Sequence, residues 1–200
     1  MELTLVTNLL GAIGLGAASG LNAWIPLFGL GLAQRLGAVT LSSQFDALGS
    51  TPVLVLLGAL LVLDLVGDKI PAVDHVLHIV GFLIAPLSGA IVFAAQDNLL
   101  NSASPVLAVV AGMTLGGLVH SGRSAFRPAV TATTVGIGNP VVSTVEDIVS
   151  TTLTVLAILV PVLAFLAVIA LVTVMVVRLR RWRQGRTDAR GLRAAAGPPS

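Results

Sequence analysis

The chain has no cysteine and no tyrosine, and only 4% of its residues are aromatic. Without cysteine there is no disulfide, no thiol nucleophile and no thiolate metal ligand. Charge is equally scarce. Asp, Glu, Lys and Arg make up 10% of the 200 residues, against about 25% in a soluble domain. With 56% hydrophobic residues, too few polar side chains remain to cover a water-facing surface. Catalytic signatures are missing as well. There is no HExxH, no GxSxG and no Walker loop, and "GIGNP" lacks the strand and spacing of a nucleotide loop. The expectation is a protein that is not an enzyme and carries no cofactor.

What the chain does hold is glycine (21) and proline (10), both common in membrane helices, at a mean hydropathy of +1.00. The fold class read from this is all-α, a polytopic helical membrane bundle. A full crossing needs about 20 apolar residues. Residues 3–21, 76–96 and 155–177 meet that length. Residues 26–37, 53–67, 127–138 and 140–154 fall short, and read as half-helices, tilted helices or helices buried away from lipid. No segment alternates as a barrel strand would.

A sequence pI of about 10.4 raises the question of nucleic acid. The charge map points elsewhere, because seven of the eleven basic residues follow the last apolar run, from Arg178 to Arg193. A basic cluster directly after a span marks a cytoplasmic end near anionic lipid. The expected partners are the lipid bilayer and either further copies of the chain or a larger membrane complex, with no nucleic acid. Residues 1–180 then form one transmembrane domain and residues 181–200 a basic, disordered, cytoplasmic tail. The N-terminus has neither a basic n-region nor a clear cleavage site, so no signal peptide is read there. The location implied is a membrane, crossed several times.

Two stretches echo each other: "SGLNAWIP" at 19–26 and "SGRSAFRP" at 121–128. They divide the chain into pseudo-repeated halves, about 3–98 and 105–178, which are inverted if each half crosses an odd number of times. Helix breaks are expected at Ser19, Gly20 and Pro26, at Ser121, Gly122 and Pro128, and at Asn139 and Pro140. Glycine admits non-helical backbone, and proline removes a donor and restrains its predecessor. Each break is either a tight turn at the membrane surface or a broken helix at a binding site. The pairs Gly16/Gly20 and Gly112/Gly116 fit the GxxxG spacing that permits close helix approach, for internal packing or for an oligomer contact.

The charged residues inside this apolar chain define the candidate site. Asp64 follows the eleven apolar residues 53–63, and a carboxylate at bilayer depth costs about 2.5–3.5 kcal/mol on insertion scales. Asp68 lies one turn on, followed by Lys69. Glu146 and Asp147 form a second acidic group. Arg123 and Arg127, four apart, share a helical face. The candidate ion- or substrate-binding set is therefore Asp64, Asp68, Lys69, Arg123, Arg127, Glu146 and Asp147. At least one arginine should pair with one of these carboxylates and tie the two halves together. Asp74, His75 and His78 are weak metal candidates, since a solvated loop accounts for "DKIPAVDH" more simply. His120 reads as a structural hydrogen-bond donor.

The stretches "GLGAASGLNAWIPLFGLGLAQRLG", "LVLDLVGDKIPAVDH", "GFLIAPLSGAIVFAA" and "GNPVVSTVEDIVS" resemble the domain of unknown function 4126 family of small bacterial integral membrane proteins, over residues 10 to about 178. Where similar proteins often carry Glu, this chain has Asp64. The resemblance implies a membrane-helix fold and brings no activity, substrate or cofactor. Two functions stay open on these observations. One is a transporter- or channel-like protein with a polar site between the halves. The other is a structural or assembly subunit of a larger membrane complex. A membrane enzyme acting on lipid is a third, less supported reading.

Overall fold

Six of the ten prolines turn out to mark where helices begin. The computed structural model describes the backbone of residues 2–134 and 138–195, and the side chains there except at 71, 72, 74, 75, 129, 179, 182, 183 and 185–195. Its helices are α1 (Glu2–Leu21), α2 (Trp24–Arg35), α3 (Thr51–Gly67), α4 (Pro71–Ala95), α5 (Leu99–Ala103), α6 (Pro105–Thr134), α7 (Asn139–Leu159) and α8 (Pro161–Ala195), with a 3-10 helix at Ser43–Gly49. Pro26, Pro52, Pro71, Pro105, Pro140 and Pro161 all lie in first turns. The N–H that proline lacks has no intrahelical partner there in any case. Among the described residues no strand forms, only an isolated bridge between Leu41 and Gln96.

Five helical segments are long and apolar enough to cross a membrane: Glu2–Leu21, Val76–Ala95, Pro105–Thr134, Asn139–Leu159 and Pro161–Arg178. The 3-10 helix and α3 pass the same test as a pair bent by 63°. The protein is thus an all-α bundle built to span a bilayer.

Two expected boundaries are corrected. The second Ser-Gly…Pro stretch does not break its helix: α6 runs through Ser121, Gly122 and Pro128 to Thr134. A single proline removes one backbone bond, which a membrane helix tolerates, and nothing else there competes with helix. The repeat in sequence is therefore not accompanied by a repeat of the break. In the first copy the interruption falls at Asn22 and Ala23, just past Ser19 and Gly20, which are the last buried residues of α1 before Leu21. The second correction concerns residues 140–177. They divide at Val160, not near residue 154, because Pro161 pushes the residue before it off helical geometry (φ −142°, ψ 69°). The segment after Arg181, expected to be disordered, continues as helix to Ala195.

The chain separates into two compact units, Met1–Val168 and Ile169–Ser200. In the first, α1 is the central helix. Gly11, Ala12 and every residue from Gly14 to Leu21 are buried, against α4, α6 and α7. Small residues make this possible. A Cβ on Gly14 would lie 2.9 Å from the Cβ atoms of both Ala157 and Ala164, and one on Gly20 would lie 2.5 Å from Val119 Cβ. Where α4 crosses α6, a Cβ on Gly89 would overlap the carbonyl oxygen of Gly112. The core beside these contacts is aliphatic, with Leu15, Leu30 and Val92 fully enclosed. This packing brings the end of α1 to the charged ends of α3, α6 and α7.

Candidate functional site

The site begins with the broken end of α1. Asn22 is buried, at 3% exposure, and every polar atom of its side chain is used. Its Oδ1 accepts from the backbone N–H groups of Trp24 (3.0 Å) and Ile25 (3.3 Å), two first-turn donors of α2 that have no intrahelical partner. Its Nδ2 donates to Asp64 Oδ2 at 2.8 Å and to Asp147 Oδ1 at 2.9 Å. One amide thus starts α2 and bridges carboxylates of α3 and α7. The α1–α7 contact is locked next to it by Ser150, whose Oγ donates to the carbonyl of Ala18 at 3.0 Å.

Asp68 and Lys69 extend the cluster. Ser143 Oγ, fully buried on α7, donates a short hydrogen bond to Asp68 Oδ2. Lys69 Nζ donates to the same Ser143 Oγ at 3.3 Å and pairs with Asp147 Oδ2 at 3.4 Å. These contacts join residues of 3–98 to residues of 105–178.

Both arginines pair with one carboxylate of α7. Glu146 Oε2 accepts from Arg123 Nη1 at 2.8 Å and from Arg127 Nη2 at 2.7 Å. Helical spacing stacks the two guanidinium groups one turn apart, so one carboxylate on α7 reaches both. The expectation of a pair inside the bundle is met by Glu146, which ties α6 to α7. Asn22, Lys69 and Ser143 make contacts between residues of 3–98 and residues of 105–178. Arg123 Nε also donates to His120 Nδ1 at 3.3 Å. His120 is completely buried, its Nε2 is 3.3 Å from the carbonyl oxygen of His78, and the edge of Phe82 meets its ring at 4.8 Å.

These residues enclose a small cavity of about 60 Å³, lined by Asn22, Asp64, Asp68, His78, His120, Arg123 and Arg127 among others. Asp64 and Arg123 therefore face one polar space. Of the seven candidate residues, four line the cavity. Glu146 and Asp147 hold lining residues from behind, and Lys69 sits at the edge with its side chain 37% exposed. Of the weak metal candidates, the side chains of Asp74 and His75 lie outside the described residues. His78 packs on aromatic rings, and among the described residues no group of three or more His, Asp or Glu could hold a metal ion.

A family model described as "Domain of unknown function (DUF4126)" matches residues 9–181. The chain belongs to this family. The DUF4126 match spans all the residues of the polar cluster, from the Asn22 break to Asp147. No curated protein and no solved structure matches the chain.

Sequence reading missed Asn22 and Ser143, the two neutral residues that organise the charges. The signal for Asn22 was present: it is the one polar residue between Gly20 and Pro26, where hydrocarbon-facing backbone would need a partner.

Proposed function

We propose that this protein is a membrane transporter or channel for protons or a small cation, with the Asn22–Asp64–Asp68 cavity as its binding point. The observation that carries this reading is the cavity itself: a small, partly open space into which charged side chains converge among apolar helices, at the interruption between α1 and α2. About 60 Å³ accommodates an ion with a few waters, since one water needs about 10–15 Å³ on this measure. Drug-sized ligands occupy about 300–1,000 Å³ and do not fit. Charge selects the sign. In and behind the cavity stand four carboxylates (Asp64, Asp68, Glu146, Asp147) and three basic groups (Lys69, Arg123, Arg127), a balance that favours uptake of one positive charge. Intramembrane carboxylates surrounded by hydrogen-bonding groups commonly mark such pathways. The protein resides, in this reading, in a bacterial inner membrane with Arg178–Arg193 on the cytoplasmic side.

The test is a flux assay. Purified protein is reconstituted into vesicles holding a pH- or cation-sensitive dye, and a potential is imposed. Flux of protons or of one alkali cation is expected, abolished by Asp64→Asn. Absence of flux across the whole panel, together with stoichiometric unrelated partners in mild detergent, would establish the assembly-subunit reading instead.

A further inference from the structure

The polar cavity uses only one end of α3 and α7. Helix α2 packs against both, and between α3 and α7 it floors an open groove of about 600 Å³. Phe28 of α2, Leu61 and Leu65 of α3, and Ile148 and Thr151 of α7 line it. On α7 the lining runs from Thr144 to Val155, which at 1.5 Å per residue is about 16 Å. Half of a hydrocarbon core of about 30 Å is nearly the same length. At one end stand Lys69 and Asp147. Lys69 lies after the bent pair ends at Gly67 and before the next span begins at Val76, between two apolar segments, whereas Leu61 lies within one.

The charges at that end are loosely matched. Lys69 Nζ and Asp147 Oδ2 are 3.4 Å apart, beyond the roughly 2.7–2.9 Å of a tight charge-assisted bond. A carboxylate has about four acceptor sites and an ammonium three donors, so each can take a further partner. Together they present one positive and one negative group side by side. A phosphate next to a primary ammonium is the complement of that pair. We propose that the α2–α3–α7 groove binds one acyl chain of an aminophospholipid, with the phosphate on Lys69 and the ammonium on Asp147. A quaternary ammonium has no N–H to donate to Asp147, and a purely anionic headgroup meets Asp147 as a like charge. This site stands whether or not the polar cavity conducts ions.

The full-length protein is placed in nanodiscs containing equal parts of phosphatidylethanolamine, phosphatidylglycerol and phosphatidylcholine. It is then released into mild detergent, and retained lipid is counted by native mass spectrometry. Phosphatidylethanolamine is expected to be retained about tenfold over the other two, a preference of the size one good polar contact supplies. Thr151→Trp, which fills the groove from an exposed position, should remove the bound lipid. Leu61→Trp fills it from the opposite wall and serves where the first variant is not monodisperse. Lys69→Gln should keep a bound chain but lose the headgroup preference. Equal retention of the three lipids, or a phosphatidylethanolamine preference that survives both tryptophans, overturns the proposal.

Discussion

Asn22 and Asp147 are 125 residues apart in the chain and joined by a 2.9 Å hydrogen bond. The same amide nitrogen holds Asp64, so three helices depend on one neutral side chain. An amide does this better than a charged group would. It offers donors to the carboxylates and an acceptor to the backbone without adding charge to a low-dielectric site.

Asn22→Ala removes the donor to two carboxylates and the acceptor for Trp24 and Ile25. A buried polar group left without its partner costs about 1–3 kcal/mol, so a large drop in thermal midpoint is expected, followed by tryptophan fluorescence in detergent. Asn22→Asp should be worse, since it sets a third carboxylate between Asp64 and Asp147. A midpoint for Asn22→Asp at or above that of Asn22→Ala would show that the amide's donors do not matter.

The shared carboxylate makes the arginine site asymmetric. Glu146→Ala removes the group on which both guanidinium groups converge, and breaking such a buried pair costs about 3–5 kcal/mol. Arg123→Leu leaves Glu146 bonded to Arg127 and should cost clearly less. Thermal unfolding of the two variants side by side decides it. If Arg123→Leu is the more damaging, the Arg127–Glu146 bond does not sustain the site.

How much of this could be read beforehand follows the physics of each signal. Apolar length identified the spans at residues 3–21 and 76–96 because lipid demands it, but it cut α6 and α7 short and ran 155–177 across the α7–α8 boundary; charge identified Asp64, Arg123 and Glu146 because burying it is costly. Breaks were harder. Ser-Gly…Pro interrupts α1–α2 but not α6, because proline and glycine only permit a break, and packing decides it. Around Arg123 and Arg127 the Glu146 contact requires helical spacing. At Asn22 the side chain itself starts the next helix. Ser143 was legible only as one of the hydroxyls flanking Glu146 and Asp147: it looks like its neighbours Thr144 and Thr151 until the fold sets it against Asp68.

Glycine substitutions should separate close approach from mere flexibility. Gly116→Ala would bring a Cβ to 2.5 Å from the carbonyl oxygen of Ala85, whereas Gly117→Ala meets nothing nearer than Pro86 Cγ at 3.4 Å. Backbone cannot yield as a flexible side chain can, and overpacking costs about 1–3 kcal/mol. Gly116→Ala is expected to lower the thermal midpoint and Gly117→Ala to leave it nearly unchanged. Equal effects would mean that the α4–α6 crossing relaxes freely.

Orientation has its own readout. A phosphatase active only outside the cytoplasm, fused after Ser200, should be silent, and a fluorescent protein fused there should mature. Activity of the phosphatase would place the basic helix on the outer side and reverse the topology proposed from Arg178–Arg193.

The last test isolates the link between α3 and α7. Ser143 Oγ donates to Asp68 and accepts from Lys69, so it sets the position of both charged groups with one hydroxyl. Ser143→Ala should destabilise by about 1–3 kcal/mol through the buried bond it deletes. Asp68→Asn, which keeps an acceptor but removes the charge, should also destabilise. The informative measurement is the double variant. If both act through the same hydrogen bond, the losses are not additive, and the coupling should reach about 0.5–3 kcal/mol. Two residues 75 apart in sequence that add without coupling would mean the bond contributes nothing to the link between α3 and α7.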